Sequence, residues 1–553
     1  MDQSELMPPI PVFYGTQQIN RRPRLMHKPT TLFKLLAFPA GLAWLALPCH
    51  AERAESIQAA PVMVESAALV AVSAFLGEGL QPWSVSLPPV DGDWVVPDGG
   101  TTASGVVFPL PAPVTAAQLA WEPVAGGYAA RVRVSAEPTK RLRLHLAVPD
   151  GLDSLQVRVQ GTLDAAPVGP VGHADVFGNA LWLPVTNGNA ADLEIFVSEP
   201  IPPPGLMLDA ANVIAVDVTS GNAAGSVAKS LGLTTYKQYD VACWSKYAGY
   251  SALLQAASAT AKVHFIQNGR SYICSGTLLA DKGGTRTPWF ATANHCLPDQ
   301  VTASTASFEW FFQATSCGGR AQDSRYAQTY GGAQLLYTNF KLEPAFLRLN
   351  RQPPSDVAFM GWDTSIQKGD LVWAVHHPGG DHTMVSEGKV TAILQTEVDA
   401  SQGGTHLLDS VSFSYGGIED GSSGSGLFGV SNGSLYWKGT LFGGPVDNYQ
   451  IGSYSHLQSY YDNIKRWLEN TTPYQSGQVT CLFNWAETNY RDVFSPAGAN
   501  NQLTSPYTFR YYDRTNAYLG VSALDNHVYY LGPDNVLRDE GTLSYWLSES
   551  SCQ

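Results

Sequence analysis

The sequence predicts a mostly β protein, and two observations support that prediction. Charged residues make up 14% of the chain, against roughly 25% in an average soluble domain, while Gly, Pro, Tyr and Trp are plentiful. Residues 130–135 and 142–146 alternate apolar and polar side chains between Pro and Gly turns, which is the pattern of half-buried strands. We therefore expect sheets and turns in preference to helix bundles.

Length and net charge limit the number of domains and the classes of partner. The 553 residues exceed what one hydrophobic core organises, so roughly three or four domains are expected. The formal net charge of -14 argues against a nucleic-acid partner, because binding phosphates requires clustered Lys and Arg.

Residues 1–51 are predicted to be a Sec signal peptide, with Met26 as an alternative start. Basic residues precede an apolar run at 35–47, and Ala51 offers a small residue for cleavage. The run is too short to cross a bilayer core of roughly 30 Å as a helix. Secretion by way of the periplasm is therefore expected, without stable membrane insertion; a retained anchor is the alternative.

The cysteines that follow the signal peptide are even in number, in a chain bound for an oxidising compartment. Three disulfides are the economical prediction. The alternative, a zinc site, would need closely spaced cysteine pairs. These cysteines are Cys243, Cys274, Cys296, Cys317, Cys481 and Cys552.

Alternating segments bounded by Pro and Gly divide the chain further. Residues 81–218 are predicted to form a β-sandwich, and 205–230 to act as a connector in which Lys229 offers a cleavage point. Strand-rich sequence resumes near Ala261, and an Asn-Gly pair at 268 is a strong hairpin signal.

The last third of the chain shows one helix, a linker and a second β segment. Ser455 and Gln458 form a capping box that predicts an amphipathic helix after them. Residues 471–478 are polar and turn-rich, as in a linker. Between Cys481 and Cys552 the sequence is aromatic-rich with strand alternation, which predicts a small, separately stapled β-domain.

Three motifs place a His and a Ser in a pattern typical of nucleophilic catalysis. They read Cys-Ser-Gly-Thr-Leu-Leu at 274–279, Ala-Thr-Ala-Asn-His-Cys at 291–296 and Gly-Ser-Ser-Gly-Ser-Gly at 421–426. A Ser hydroxyl is a weak nucleophile, and a His within hydrogen-bond reach takes its proton during attack and returns it to the leaving amine. We therefore predict His295 as general base and Ser423 as nucleophile.

The glycines around Ser423 predict an oxyanion hole. They permit a tight turn whose backbone N–H groups, from Gly421 and Ser423, point at one spot. Each such donor is worth about 3 kcal/mol of transition-state stabilisation.

Residues 237–470 resemble the trypsin-like, chymotrypsin-fold serine peptidases, and within them the bacterial lysyl endopeptidases. The marks are the motifs above with Gly-Trp-Asp at 361, His-His-Pro-Gly-Gly-Asp at 376 and Gly-Gly-Pro at 443. The resemblance implies a double β-barrel with the catalytic groups between the barrels.

The same resemblance implies how the chain is organised. Residues 52–229 would be a β-sandwich propeptide that helps folding and blocks the cleft until its removal. The protease domain would be 230–470, and 479–553 a C-terminal accessory β-domain after the linker. Pancreatic-type zymogens use an acid just before the nucleophile for activation, but Ser422 stands there, so that ion-pair switch cannot operate.

The resemblance also implies the disulfide pairing. Cys274 would bridge to Cys296 and pin the loop of the catalytic His, and Cys243 would pair with Cys317. One further disulfide of the family is missing here, because neither of its two cysteines is present. Cys481 and Cys552 are then left to pair with each other.

The third member of the triad departs from the family pattern. An acid normally precedes an apolar strand, and here Glu343 occupies the expected aspartate position. Its extra methylene moves the carboxylate by about one bond, and Glu serves this role in some α/β-hydrolases. Asp356, in the loop that follows, is the competing candidate.

Asp447 is the candidate acid of the primary specificity pocket, two residues after Gly-Gly-Pro. A carboxylate in a partly desolvated pocket favours Lys or Arg on the acyl side of the cut. The alternative is that Asp447 caps a turn. The family motif accounts for His376, His377 and His382 without a metal, so we expect no metal and no cofactor.

The prediction is thus a secreted serine endopeptidase that acts on protein or peptide substrates, has its own propeptide as chaperone and inhibitor, and is a monomer. The rival is an inactive homologue that binds surfaces or substrates through its terminal aromatic domain. A second enzyme alternative is an esterase with the same triad.

Overall fold

The computed structural model describes most of the chain after the predicted signal peptide. The described residues are 52–59, 82–88, 97–98, 101–137, 139–198, 201–214, 238–399, 404–431, 433–445 and 448–469, together with the backbone of strands between 479 and 552. Among them, no helix combines the length and the apolar character that a membrane crossing requires.

Sheets dominate these residues, which confirms the predicted mostly β fold. The strands before residue 215 are β1 (Arg53–Ala54), β2 (Trp83–Ser86), β3 (Pro97–Asp98), β4 (Thr101–Thr115), β5 (Glu122–Val124), β6 (Gly127–Ser135), β7 (Arg141–Ala147), β8 (Gln156–Gly161), β9 (Val168–Gly172), β10 (Ala180–Trp182), β11 (Thr186–Asn187), β12 (Ala190–Val197) and β13 (Met207–Ile214).

Strands β2 to β13 form a sandwich around one apolar core. One sheet runs β2-β6-β12-β8-β9, and the facing layer runs β10-β7-β13-β4. The alternating sequence explains this packing, since Val132 and Val134 of β6 are buried in the shared core while Arg133 between them is half-buried. Strand β13 lies where the predicted sandwich, 81–218, and the predicted connector, 205–230, overlap. It belongs to the sandwich, because it pairs with both β4 and β7, so the predicted start of the connector was wrong. Residues 215–230 lie outside the described residues.

The described part of the predicted protease domain starts at residue 238. Its strands are β14 (Thr260–Gln267), β15 (Arg270–Leu279), β16 (Trp289–Ala293), β17 (Ser307–Trp310), β18 (Ala327–Thr329), β19 (Ala333–Thr338), β20 (Pro344–Leu349), β21 (Trp362–Asp363), β22 (Leu371–His376), β23 (Met384–Asp399), β24 (Gly404–Tyr415), β25 (Gly426–Ser431), β26 (Ser434–Gly443) and β27 (Ile451–Ser455).

These strands make two groups, in which the pairings are antiparallel except for the parallel pairing of β21 with β26. In the first barrel the order is β19-β20-β16-β15-β14-β17, and in the second β26-β25-β22-β23-β24-β27, which closes because β27 also pairs with β26. Asn268 and Gly269 join β14 to β15 with positive φ values of 51° and 73°, which confirms the predicted hairpin.

Three α-helices are present in the described part of the protease domain: α1 (Tyr250–Ser258), α2 (Gln300–Ser304) and α3 (Leu457–Leu468). Helix α3 is the predicted amphipathic helix, with Leu457, Tyr461 and Ile464 buried. Its predicted capping box is wrong: His456 is the N-cap residue, because the Ser455 hydroxyl is engaged by the backbone N–H of Thr440 at 2.8 Å.

The sandwich continues directly into the first barrel. Strand β4 pairs with β15, with Gly105 opposite Ser271, so one sheet runs through both units. A Cβ at Gly105 would lie 2.5 Å from the Ser271 hydroxyl and 2.5 Å from the Val213 carbonyl. Glycine is therefore required where these strands approach.

Buried charges connect the same two units. The Arg141 guanidinium of the sandwich forms an ion pair with Glu309 of the first barrel, and Lys262 reaches the other Glu309 oxygen at 2.6 Å. The side chains of all three are at most 1% exposed. Burial opposes ionisation of Glu309, but the charges of Arg141 and Lys262 outweigh it and hold the pKa of Glu309 well below its usual range.

Residues 52–59, which we call the N-terminal strap, do not follow the prediction that places them in the sandwich. Strand β1 of the strap pairs antiparallel with β21, and so extends the sheet of the second barrel. The reason is packing: Ala54 is 5% exposed and belongs to the protease core.

The C-terminal segment consists of eight strands in one connected set of pairings. They are β28 (Val479–Trp485), β29 (Thr488–Pro496), β30 (Gln502–Thr504), β31 (Thr508–Tyr512), β32 (Tyr518–Ala523), β33 (Val528–Leu531), β34 (Leu537–Asp539) and β35 (Ser550–Cys552). The predicted β character of this segment is confirmed.

Candidate active site

His295 lies in the turn that follows β16. The disulfide between Cys274 and Cys296 ties this turn to β15. The backbone N–H of Asn294 also donates to the Glu343 carbonyl at 2.8 Å. Covalent and hydrogen-bonded restraints therefore hold the residues on both sides of His295.

Glu343 precedes β20 and meets the imidazole. Its Oε2 lies 2.9 Å from Nδ1 of His295, and its side chain is fully buried. The backbone of Glu343 has a φ of 68°, a left-handed conformation that is uncommon for a residue with a Cβ and is found where a site imposes it. The competing candidate, Asp356, instead accepts a hydrogen bond from Ser355.

Ser423 occupies a turn that packs against the His-bearing strand. Its carbonyl accepts from the backbone N–H of Ser275 at 2.8 Å. A Cβ at Gly424 would lie 2.0 Å from the Thr292 hydroxyl, so glycine allows the turn that holds Ser423 to approach β16. Strand β16 ends at Ala293, two residues before His295. The turn that holds Ser423 therefore lies against β15 and β16 of the first barrel.

The loop before Ser423 is positioned for an oxyanion hole. The Asp420 carbonyl accepts from the Gly379 N–H at 2.5 Å, and because a trans peptide points its C=O and N–H in opposite directions, the Gly421 N–H faces away from that loop. Among the described residues, neither Gly421 nor Ser423 uses its backbone N–H as a hydrogen-bond donor. Both donors are therefore available to a substrate oxygen.

A neutral buried network supports this loop. His376 Nδ1 lies 2.8 Å from the Ser422 hydroxyl, and its Nε2 lies 3.1 Å from the Ser386 hydroxyl. Ser386 in turn bonds the N–H and the carbonyl of Gly417. Burial lowers the pKa of His376 to about 3, so the ring is uncharged near neutral pH.

Ser275 makes a second connection behind the nucleophile. Its hydroxyl donates to the Gly421 carbonyl at 2.8 Å and accepts from the His377 N–H at 2.9 Å. Sequence reasoning missed the supporting roles of Ser275, Ser386 and His376. Two of them lie in motifs that were recognised, Cys-Ser-Gly and His-His-Pro-Gly-Gly, and that is the signal that could have found them.

The predicted histidine cluster is divided among different partners. His377 contacts the Asp381 carbonyl through Nδ1 at 3.0 Å, whereas His382 packs on the Phe312 ring with centroids 4.9 Å apart. One geometric group of metal-ligating atoms occurs among the described residues, Cys274, His295 and Cys296, but its two cysteines are joined in a disulfide. The sulfur atoms of this disulfide are therefore not available as thiolate ligands.

The remaining predicted site residues have mixed outcomes. The Cys243–Cys317 disulfide is present. Cys481 and Cys552 are opposite residues of β28 and β35, but their side chains lie outside what the structure describes, so that disulfide stays a prediction. Asp447 also falls outside the described residues. Phe442, beside the predicted pocket, meets the His295 ring edge-on with centroids 5.8 Å apart.

A histidine held by a buried carboxylate on one barrel and a serine in a glycine turn of the other are the groups that trypsin-like serine peptidases use. Residues 231–461 match the family model for the lysyl endopeptidase C-terminal domain, and residues 109–214 match that for the lysyl endopeptidase N-terminal domain. Two separate parts of the chain are thus similar to lysyl endopeptidases.

Individual relatives are similar over part of the chain. The lysyl endopeptidase of Pseudomonas aeruginosa is 34% identical over 297 residues, which cover 52% of this chain and 63% of that protein. The secreted RxLR effector protein 73 of Plasmopara viticola is 27% identical over 142 residues, 25% of this chain and 34% of that protein. The match therefore spans less than two thirds of either relative.

Solved structures also resemble the chain. The active form of the Rv3671c protease of M. tuberculosis gives a TM-score of 0.29 at 13% identity and covers 40% of this chain and 86% of its own. The thermostable serine protease AL20 from an extremophilic microorganism gives 0.27 at 14% identity, over 38% and 97%.

Proposed function

We propose that this protein is a secreted serine endopeptidase that cleaves peptide bonds through an acyl-enzyme. His295 acts as general base and acid, Glu343 orients it, and Ser423 is the nucleophile. The observation that carries the proposal is the 2.9 Å contact between His295 Nδ1 and the buried Glu343 carboxylate. An Nδ1–H donated to that carboxylate leaves Nε2 free to accept the serine proton.

The reaction follows from this proton arrangement. Ser423 Oγ attacks the scissile carbonyl while its proton passes to His295 Nε2, and the Gly421 and Ser423 N–H groups bind the oxyanion. His295 then gives the proton to the leaving amine, which leaves an ester on Ser423. A water molecule, deprotonated by the same nitrogen, attacks the ester; the proton then passes from His295 to Ser423 Oγ as the acid product leaves. Glu343 holds the Nδ1–H throughout and stabilises the imidazolium.

A preference for Lys or Arg on the acyl side of the cut is part of the proposal. Asp447 would supply the negative charge of the pocket, since a carboxylate with little access to water binds a basic side chain by charge-assisted hydrogen bonds. The name of the Pseudomonas aeruginosa relative, lysyl endopeptidase, agrees with this preference.

The proposal includes maturation of a longer precursor. Residues 1–51 would be the signal peptide and 52–229 a propeptide, with a cut after Lys229 that suits self-processing by a Lys-preferring enzyme. The match of 109–214 to a separate family domain supports this division. The mature enzyme would be a secreted monomer without a cofactor.

Fluorophosphonate labelling of the secreted protein tests the nucleophile. We expect wild type to be labelled and to cleave casein, Ser423→Ala to do neither, and Ser459→Ala, an exposed serine of α3, to match wild type. Persistent labelling of the Ser423→Ala protein would contradict the assignment. A folded wild-type protein that remains unlabelled after removal of 52–229 would favour an inactive homologue.

A peptide-library digest tests the pocket. Cuts after Lys and Arg are expected in wild type, and Asp447→Asn should lower kcat/KM for such substrates by about 10-fold or more without abolishing labelling of Ser423. A library showing only apolar or acidic preference would refute the assignment of Asp447. A Ser423→Ala chain that is still cut after Lys229 in a host lacking the active enzyme would argue against self-processing.

A further inference from the structure

The N-terminal strap occupies a sheet edge of the protease domain made by residues 359–364. Ile57 and Phe359 exchange both backbone hydrogen bonds, at 2.9 and 3.0 Å. Farther along, the Thr364 N–H donates to the Glu52 carbonyl at 2.9 Å. The strap is thus bound as an added antiparallel strand, the mode in which many domains bind extended peptides.

The edge is shaped to receive this strand closely. A Cβ on Gly361 would lie 2.4 Å from the Ala54 carbonyl and 2.7 Å from the Ser56 N–H nitrogen, so any other residue would displace the strap. The Ala54 methyl enters the protease core, and Ile57 packs against that core. Only a small side chain fits the position of Ala54.

Polar contacts select the residues on either side of Ala54. The Arg53 guanidinium lies 4.8 Å from the ring centroid of Tyr436, and its Nη2 donates to the Tyr436 hydroxyl at 3.0 Å. That hydroxyl donates to the Glu55 carboxylate at 2.5 Å. The contacts of Tyr436 therefore favour a basic residue before the small residue and an acidic residue after it.

Two basic side chains hold the ends of the strap. Lys282 reaches the Glu52 carboxylate at 2.7 Å, and Arg286 donates to the Gln58 carbonyl at 2.7 Å. A row of backbone pairings with pockets for alternate side chains combines affinity with sequence preference. None of the residues that make this edge belongs to the proposed triad or oxyanion hole.

We propose that residues 359–364, with Tyr436 and Lys282, form a peptide-binding site of the protease domain that is separate from the catalytic cleft. The site binds an extended segment with the pattern basic, small, acidic, and the strap is its resident ligand. When it is empty, β21 presents unpaired backbone groups and an uncovered core position, so the site binds such a peptide in trans.

The site has a consequence for maturation that rests on the proposed processing. The strap precedes Lys229 in the chain, so a cut there separates it covalently from the protease domain. The contacts described above do not depend on that connection. The strap then remains on the mature enzyme as a non-covalent strand.

Hydrogen–deuterium exchange of full-length protein carrying Ser423→Ala tests the site without requiring activity. Ala54→Arg places a long charged side chain where a methyl is buried, and we expect the amides of 359–364 to exchange about tenfold faster or more. The matched control is Gln58→Arg, at an exposed strap position, which should leave their protection unchanged. Equal protection in both variants would overturn the proposal.

A synthetic peptide of residues 52–59, added in excess to the Ala54→Arg protein, tests binding in trans. It should restore protection of the Phe359 and Thr364 amides, whereas the same peptide with Ala54→Arg should not. Failure of the wild-type peptide to restore protection would overturn the proposal. Should Ala54→Arg not fold, Arg53→Ala keeps the buried methyl and removes the contacts to Tyr436; it should raise exchange by a smaller factor, and unchanged exchange would again count against the site. Because all proteins carry Ser423→Ala, these outcomes are independent of whether the enzyme cleaves peptides.

Discussion

The two barrels stabilise their halves of the site in different ways. The first barrel, with His295 and Glu343, contains buried ions, and one of the ion pairs of Glu309 comes from Arg141 of the sandwich. The second barrel, with Ser423, contains neutral hydrogen bonds around His376 that close within the barrel itself. The polar interior of the first barrel is therefore completed by the N-terminal domain, and that of the second is not.

The physical difference between these two clusters is between charge and neutrality, although the second barrel also holds a buried ion pair of Lys438 with Asp363 that is separate from the His376 network. A buried ion without its partner is strongly destabilising, because the desolvation cost is no longer offset by attraction. Burial also lowers the pKa of Lys262 to about 8, so this cation is close to losing its proton near neutral pH. A neutral imidazole between two hydroxyls requires no counter-ion. Losing the sandwich should thus affect the first barrel more than the second.

The largest expected effect concerns Glu343 in the first barrel. Glu343→Gln keeps the volume but removes the charge that holds the His295 tautomer, so kcat/KM should fall by about 1,000-fold or more with folding intact. Asp356→Asn is the control and should stay near wild type. A near-normal rate for Glu343→Gln would remove this residue from the triad.

Arg141→Met in the sandwich tests whether the first barrel relies on that domain. Removing one partner of a buried ion pair should reduce the free energy of unfolding by about 3 to 5 kcal/mol. Arg133→Met is the matched control, since its pair with Asp192 is part-exposed and should cost about 1 kcal/mol or less. Urea unfolding in the Ser423→Ala background measures both. Similar losses in the two variants would break the proposed contrast.

Removing the disulfide beside His295 tests the covalent support of the first barrel. The bridge between Cys274 and Cys296 closes a segment of 22 residues, for which chain entropy predicts about 3 kcal/mol. The double variant with both residues changed to Ser should lose about that much stability in urea unfolding. It should also lose protection from exchange in β16 more than in β25; equal loss in both strands would contradict the localisation.

The smallest effect is the pH dependence contributed by His376 in the second barrel. Its folded pKa, about 3, lies below the unfolded value of about 6.5, so the unfolded chain binds more protons between these values. Stability from this residue is present above about pH 6.5 and is lost as the pH falls, by about 1.4 kcal/mol per unit.

In His376→Gln, the free energy of unfolding should depend less steeply on pH between roughly pH 5 and 6, below the pKa of a free histidine. The slope should be smaller by about 1.4 kcal/mol per pH unit. Glu309 contributes little in this interval, because its stabilisation is lost only below the usual carboxyl range. His264 and His377, whose pKa values burial lowers to about 4 and about 3, contribute slope of the same sign. Burial raises the pKa values of four acids, which gives slope of the opposite sign; these are Asp240, Asp381, Glu387 and Glu419. An unchanged slope in His376→Gln would show that the ring is already protonated or exposed.

Much of the fold was predictable because its signals are local. Alternation in β6, the Asn-Gly turn between β14 and β15 and the helical spacing of α3 each involve a few neighbouring residues. The capping box failed for a long-range reason, since the Ser455 hydroxyl binds Thr440 of β26 rather than its own helix. The predicted start of the connector was wrong because β13 pairs with β7, which lies 60 or more residues earlier in the chain.

The sequence by itself determined the candidate general base and nucleophile. His295 and Ser423 lie in short motifs whose glycines and cysteines impose their local turns. It also narrowed the third group to Glu343 or Asp356. Only the tertiary structure placed the Glu343 carboxylate against His295, paired Arg141 with Glu309 across 168 residues, and placed the strap on β21. Such contacts depend on how separate sheets pack. Residues far apart in the chain have no local sequence pattern that predicts their contact.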